Sequence, residues 1–204
     1  MSDETEAKNN IPWPVVIMLS MLFGVIGLGL LLSPSSEQDK LWWVNLLGTT
    51  NHGVLLNPPV EVSAEDILST NDQPWEALQN NTFKLVVLNS GVCDTRCQEM
   101  LRSVRQVHVR LNRDYSDVER GYLPVNSDRE SAEELLQELP DYALLRAGGS
   151  ELLEGLSQTN IPAIGEGPIL LMIDPAKLAM MAYTAEHTGS EILEDLEHLL
   201  ELAR

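Results

Sequence analysis

An uncharged stretch of 22 residues near the amino terminus, Ile11 to Leu32, most constrains how this chain can fold. At 1.5 Å per residue, a helix of this length reaches about 33 Å, enough to cross the hydrocarbon core of a bilayer. The alternative is a cleaved signal peptide, but the preceding segment MSDETEAKNN is acidic and no small-residue cleavage site follows the run. We therefore predict a transmembrane helix at residues 11–33, after a short tail of residues 1–10.

The residues that flank this run do not fix its orientation. Lys8 stands alone on the amino side and Lys40 stands alone just after the helix, so the positive-inside rule has no asymmetry to act on. Trp13, Trp42 and Trp43 suit the two membrane interfaces, where indole rings prefer to lie. Packing of Trp42 and Trp43 against the following domain is an equal alternative.

Composition limits the partners of this chain. Thirteen basic residues against 31 acidic ones give a net charge of −18, which repels nucleic acid phosphates and anionic lipid headgroups. We therefore expect no nucleic acid partner. The chain contains two cysteines, and they are closely spaced. This pattern suits a redox-regulated thiol pair in an oxidising compartment such as a periplasm.

The pattern after the anchor divides into a connector with a β-rich lead-in at residues 34–82 and a domain at residues 83–204. The lead-in alternates turn residues with short apolar pieces, which is typical of a β-hairpin or an extended segment lying against the domain. The run Phe83 to Ser90 predicts a buried strand. The apolar positions after it recur at helical spacing: Cys97, Met100, Leu101, Val104, Val107, His108 and Leu111.

The rest of the domain predicts the element order β-α-β-α-β-β-α. RGYLPVNS reads as a second strand, SAEELLQEL as a helix stopped by Pro140, and SELLEGLSQ as a short helical piece. LLRAGGSELL is typical of a loop with a Gly-Gly turn. PILLMID and LAMMAYT predict two strands joined by a turn at Asp174 and Pro175, before an acidic amphipathic helix.

Cys93 and Cys97 fall in the loop between the first strand of the domain and its helix, at the sheet edge where open α/β folds place their sites. A helix amino terminus lowers the pKa of a thiol, which favours a nucleophile or a soft metal ligand. Arg96 supports a thiolate, whereas Asp94 opposes it and suits a helix cap. A reversible bond and a passive disulfide both remain open, although so small a loop stabilises little.

The strand, the cysteine pair at the first helix, and Pro168 opening the third strand together resemble the thioredoxin fold. In that fold the proline is cis and faces the cysteines. The segment NSGVCDTRC, with three residues between its cysteines, resembles the CxxxC region of the Sco-type proteins, membrane-anchored factors that help to assemble the copper centre of cytochrome c oxidase. GTTNHGVLLNPP, RQVHVRLNRD and MIDPAKLAMMAY also resemble Sco-like membrane proteins associated with bacterial terminal oxidases.

The resemblance implies that Cys93 and Cys97 bind Cu(I), because thiolates select soft metals. Typical Sco proteins add a histidine just before the third strand, and here that stretch reads IPAIGEGPILLMID. The third copper ligand is thus unknown. Pro168, found at this point, favours thiol-disulfide exchange instead, with Cys93 as the attacking sulfur.

The remaining candidates are weaker. His108 lies about 16 Å along the helix from Cys97, too far for a shared metal ion. We interpret His187 and His198 as exposed, and His52 as a turn histidine that hydrogen-bonds locally or, less favourably, as a ligand. A methionine near the pair, Met100, is read as a core residue rather than a ligand.

The sequence contains no GxGxxG, P-loop or HExxH motif. The carboxylates Glu133, Glu134 and Glu138 are interpreted as a solvated helix face.

The sequence thus predicts a single-pass protein of the bacterial inner membrane with a periplasmic thioredoxin-like domain. By resemblance, its partner is a terminal oxidase subunit or another assembly factor, and its chemistry is thiol-disulfide exchange. A Cu(I) chaperone and a non-catalytic assembly or structural subunit are the alternatives.

Overall fold

The computed structural model describes residues 13–32, 51–127, 129–139 and 141–203. The chain divides into two compact units, residues 1–50 and residues 51–204. The predicted tail of residues 1–10 lies outside the described residues, as do Lys40, Trp42 and Trp43.

The first unit contains helix α1, Trp13–Leu32, within the predicted apolar run. Side chains are described for residues 13–27 of this helix, and they are exposed or half-buried. Within the described parts of the chain, no helix is both long enough and apolar enough to cross a membrane.

The second unit is built on a seven-stranded sheet in the order β1-β7-β6-β3-β4-β5-β2. Strands β3, β4 and β5 run parallel, and the other neighbouring pairs are antiparallel. The strands are β1 Val54–Glu61, β2 Ile67–Ser69, β3 Phe83–Ser90, β4 Val118–Val125, β5 Ala143–Ala147, β6 Ile169–Ile173 and β7 Leu178–Thr184. The helices are α2 Thr95–Arg110, α3 Arg129–Gln137, α4 Glu151–Ser157 and α5 Gly189–Leu202, with 3-10 turns at Glu76–Gln79 and Asn112–Asp117.

Apolar side chains cover both faces of the sheet. Helices α2, α3 and α5 supply one core, in which Leu101, Leu136 and Leu196 pack against the sheet. Helix α4 and the segment before β3 supply the other core, which contains Trp75 and Leu152. Strand β3 is buried along almost its whole length because it is central and covered on both sides. The strand predicted at residues 83–90 is confirmed.

Within the described part of the lead-in, β1 and β2 do not pair with each other, and a local antiparallel bridge joins Leu68 to Pro74. Strand β1 pairs antiparallel with β7 and strand β2 pairs antiparallel with β5, so the two short strands lie at opposite edges of the sheet. The extended alternative is therefore correct. Local turn signals do not distinguish the two arrangements, since each strand finds its partner more than 70 residues away along the chain.

The loop predicted for LLRAGGSELL is wrong for its first four residues, which belong to strand β5. Ala143–Ala147 pairs with β4 at two positions and with β2 at three. Only one of its five side chains is fully buried, so the sequence carries little periodic signal of a strand. Pairing with neighbours on both sides, rather than local propensity, makes this segment a strand.

A buried carboxylate joins the start of the second unit to helix α5. Asp195 is 6 % exposed and accepts hydrogen bonds from the backbone amides of His52 and Gly53 and from the Tyr183 hydroxyl, all between 2.9 and 3.0 Å. Burial, followed by the charge of Asp195, raises the pKa of Tyr183, so this phenol keeps its proton and donates. One side chain thus satisfies three donors.

Candidate functional site

The two cysteines form a disulfide where β3 passes into α2. Asp94 caps the helix, with its carboxylate accepting from the Cys97 amide at 3.0 Å, as the sequence predicts. This backbone hydrogen bond is the main reason that the pKa of Asp94 lies below its usual value. Cys97 is fully buried and Cys93 is half-buried, so the two sulfurs differ in access to a partner.

The loop that carries Cys93 is held by two amide side chains. Asn89, buried at the end of β3, donates to the carbonyls of Gly91 and Val92 at 3.2 and 3.4 Å. Gln98 donates to the Cys93 carbonyl at 3.4 Å. Gly91 has φ of 76°, a left-handed conformation that favours glycine, and it lets the chain turn directly after the strand.

A tyrosine lies beside the buried sulfur. The Tyr122 hydroxyl is 3.9 Å from Cys97 Sγ, and because a disulfide sulfur carries no hydrogen, the phenol is the group that donates. Burial raises the pKa of Tyr122, while Asn89 acts in the opposite direction. The phenol is thus protonated at neutral pH and available to a Cys97 thiolate. Sequence reasoning missed this residue, because Tyr122 meets the cysteine only through the pairing of β4 with β3.

We expect Tyr122→Phe to make the reduction potential of the pair more negative by about 10–30 mV. The Tyr122 hydroxyl stabilises the reduced form by a hydrogen bond to the Cys97 thiolate, about 0.5–1.5 kcal/mol, and the variant loses this stabilisation. Equilibration with a glutathione series measures this shift. Tyr142→Phe is the matched control, since its hydroxyl is also buried but donates to the Leu101 carbonyl. Equal shifts in the two variants would contradict a contact specific to Cys97.

A cavity of about 310 Å³ opens beside Cys93. Val92, Tyr122 and Leu135 supply apolar parts of its wall, and Glu134 of α3 and Glu138, which directly follows α3, supply two carboxylates. Both glutamates are exposed, and so is Glu133, in agreement with the predicted solvated face. The sulfur that faces this cavity is therefore reachable by another molecule.

Pro168 lies where predicted, immediately before β6, and it is buried. Among the described residues the cis peptide bond is Asn57–Pro58, so the cis geometry that the resemblance implied at Pro168 is wrong here. Pro168 lines a separate cavity of about 240 Å³ together with Arg96 and Glu166. The role of Pro168 in exchange remains a prediction.

The histidines do not complete a metal site at the cysteines. Among the described residues, no group of three or more His, Cys, Asp or Glu side chains is arranged to hold a metal ion. His108 is buried and its Nε2 lies 2.7 Å from the Tyr115 carbonyl, and His198 is exposed as predicted. His187 is half-buried rather than exposed, because its Nδ1 accepts from the Thr184 amide.

The local hydrogen bond predicted for His52 is wrong. Its Nε2 lies 3.0 Å from Glu194, a residue of helix α5 far away in sequence. Met100 is buried in the core, in agreement with the prediction. Among the described residues, no His, Asp or Glu therefore joins Cys93 and Cys97 as the third ligand of a Sco-type copper site.

A mixed sheet with helices on both faces and a cysteine pair at the start of the first covering helix defines the class: a thioredoxin-like α/β protein. A sequence profile described as the transmembrane-like, thioredoxin-like, C-terminal domain matches residues 83–203. The chain belongs to this family. No curated protein matches the chain in sequence.

Solved structures agree with this assignment. Copper-bound ScoI of Arabidopsis thaliana is 10% identical with a TM-score of 0.53, covering 74% of this chain and 98% of its own. BsSco, described as a Sco family cytochrome c oxidase assembly protein with a disulfide switch, is 14% identical over the same shares, with a TM-score of 0.54. A thiol:disulfide interchange protein from a Bacteroides species is 11% identical with a TM-score of 0.51, and the match covers 70% of this chain and 90% of that protein. The resemblance to Sco-type proteins is confirmed in the fold.

Proposed function

We propose that this protein is a membrane-anchored thiol-disulfide exchange factor that acts in terminal oxidase biogenesis. The observation that carries the proposal is the unequal pair at the start of α2: Cys93 is half-buried beside an open cavity, and Cys97 is fully buried next to a phenol donor. An exchange factor needs one sulfur that a partner can reach and a second that resolves the intermediate.

In the proposed reaction the pair begins reduced. The Cys93 thiolate attacks one sulfur of a partner disulfide, a mixed disulfide forms, and the partner's other sulfur leaves as a thiolate. The Cys97 thiolate then attacks Cys93 Sγ and releases the second partner thiolate, which leaves the pair as a disulfide. Two electrons pass to the partner, whose thiolates take up protons from water. In this scheme Tyr122 supports the Cys97 thiolate before the second attack.

The anchor and the location are part of the same proposal. The uncharged run at residues 11–33 supports one membrane span, and the family description contains the term transmembrane-like. A cysteine pair that cycles between oxidised and reduced forms suits the periplasmic side of a bacterial inner membrane. The oxidase partner is supported by the likeness to a Sco family assembly protein. A fitting substrate is a disulfide of copper-ligating cysteines, which must be reduced before metal enters.

Equilibration of the full chain with glutathione buffers tests the exchange proposal. We expect reversible oxidation at a potential within the range of exchange proteins, about −120 to −270 mV. The fraction of free thiol, measured by alkylation and mass spectrometry, gives this potential. A disulfide that stays intact below about −300 mV would overturn exchange and support a structural staple.

The competing function is a Cu(I) chaperone, in which copper is cargo. It is favoured by the adjacent sulfurs of Cys93 and Cys97 and by the likeness to a Sco protein with copper bound. Anaerobic competition with a Cu(I) chelator discriminates the two functions. Tight one-to-one binding that Cys93→Ser abolishes would support the chaperone, whereas a reduced protein that ignores Cu(I) would exclude it.

A further inference from the structure

A second concave surface adjoins the cysteine cavity. Helices α2 and α3 enclose a groove of about 620 Å³, which we call the α2–α3 groove. One wall carries Arg102, Arg105 and Arg110, which recur on one side of α2 at helical spacing. Leu135 of α3 and Leu139, two residues after its end, supply apolar contacts on the other wall. The redox step makes no use of these arginines.

The charge of this groove is opposite to that of the chain. Helix α2 contains four arginines and one glutamate, whereas the whole chain has a net charge of −18. Among the described residues, no carboxylate lies within 4.0 Å of Arg102 or Arg110, and both are exposed. Glu138 is the one acidic residue in the lining. The groove therefore attracts anions on a protein that otherwise repels them.

A buried guanidinium adds to the positive charge near the α2–α3 groove. The Arg120 side chain is 1% exposed, and none of its three guanidinium nitrogens has a hydrogen-bond partner in the described part of the chain. Its Nη2 lies 3.6 Å from Asp141 Oδ2, and Arg105 Nε approaches the same oxygen at 3.5 Å. One carboxylate neutralises one of two cations, so a positive charge remains beside the groove.

The groove is continuous with the cysteine cavity. Gln98 lines both, donates to the Cys93 carbonyl at 3.4 Å and accepts from Arg102 at 3.2 Å. An exposed apolar side chain stands on each part of the path, Val92 beside the cysteine at 79% exposure and Val109 in the groove at 57%. A bound segment would therefore cover both apolar side chains and pass from the arginines to Cys93.

We propose that the α2–α3 groove binds an extended acidic segment of a partner protein and presents a neighbouring partner disulfide to Cys93. The carboxylates contact Arg102 and Arg110, and apolar side chains cover Val109. Cys93 lies just before α2 and Arg102 lies nine residues later, a separation of about 14 Å at the helical rise, which an extended chain spans in about four residues. A linear segment fits better than a flat anionic membrane, which would also meet the surrounding acidic surface. The part that concerns Cys93 rests on the proposed exchange function, while carboxylate binding does not.

Binding is tested without any thiol chemistry. The probe is a fluorescent, cysteine-free 12-residue peptide with four Asp or Glu and two Leu residues, titrated against the full chain in an uncharged detergent. The double variant Arg102→Gln/Arg110→Gln is expected to bind about tenfold more weakly, and wild-type binding is expected to weaken as salt rises. The matched control Arg129→Gln/Arg146→Gln removes the same charge from exposed arginines that already pair with Glu133 and Asp72, and it is expected to bind like wild type.

The proposal is overturned if both double variants lose affinity equally, or if an Asn/Gln version of the peptide binds as well as the acidic one. Displacement of the peptide by phosphatidylglycerol vesicles, with the same dependence on Arg102 and Arg110, would assign the groove to a membrane surface instead.

The link to Cys93 is tested by exchange rates. Two peptides carry a mixed disulfide on one cysteine, with the acidic residues either about four residues away or directly adjacent. We expect the first to react at least several-fold faster with the reduced chain, and Arg102→Gln/Arg110→Gln to remove the difference. Equal rates would refute the presentation role. If neither peptide reacts while the cysteine-free probe still binds, the exchange function is refuted, but binding of an acidic segment to the groove is still supported.

Discussion

Replacement of Asp195 by alanine is expected to lower the free energy of unfolding of the 51–204 unit by about 3–5 kcal/mol. The carboxylate is buried and accepts from the amides of His52 and Gly53 and from the hydroxyl of Tyr183. Removing it leaves these donors without their acceptor, and the Gly53 amide and the Tyr183 hydroxyl are buried. Since small domains are stable by only about 5–15 kcal/mol, this loss is a large part of the total.

Urea unfolding followed by tryptophan fluorescence measures this effect. Glu197→Ala is the matched control, because it removes an exposed carboxylate from the same helix and is expected to change stability by less than about 0.5 kcal/mol. Tyr183→Phe removes a single donor and is expected to cost about 1 kcal/mol. A loss below about 1 kcal/mol in Asp195→Ala would show that this carboxylate does not hold the lead-in to α5.

The two single cysteine variants are expected to lose thiol-disulfide exchange in different ways. Cys97→Ser keeps the accessible sulfur and loses the buried one, so it should accumulate a stable mixed disulfide with a partner or a model disulfide. Cys93→Ser keeps only a fully buried sulfur and should form no adduct. Both should lower the exchange rate to that of the uncatalysed reaction, because each removes one of the two required sulfurs.

Mass spectrometry of the intact protein after incubation with a model disulfide separates these outcomes. The double variant Cys93→Ser/Cys97→Ser is the control for non-specific adducts. Because the disulfide closes a very short loop, its loss should change stability little, and all three variants should stay folded. An adduct on Cys97 in Cys93→Ser would reverse the proposed order of attack. Unchanged oxidase assembly in cells that carry the double variant would support a structural subunit instead.

Much of the central architecture follows from local pattern. The run Phe83–Ser90 is apolar throughout because β3 is covered on both faces, and the apolar positions of α2 recur at helical spacing because one side of that helix is buried. Asp94 is recognisable as a cap because a short acidic side chain directly before a helix satisfies free amides. These signals lie within a few residues of the structure that they specify.

Other features depend on which distant segments meet. Strand β5 has too little burial to show a periodic pattern, and the partners of β1 and β2 lie far away in sequence. The half-burial of His187 has a different origin, since its hydrogen-bond partner, the Thr184 amide, lies only three residues away. No local signal marks the hydrogen bond between His52 and Glu194 or the carboxylate that Asp195 supplies to three donors.

The sequence by itself determined the cysteine pair, its place between a buried strand and a capped helix, and the acidic charge of the chain. Each depends on residue identity and short-range spacing. The tertiary structure alone decided that Tyr122 reaches Cys97 and that the arginines of α2 face α3 across a groove. Those facts depend on strand pairing and helix packing, which bring together side chains whose separation along the chain gives no indication that they meet.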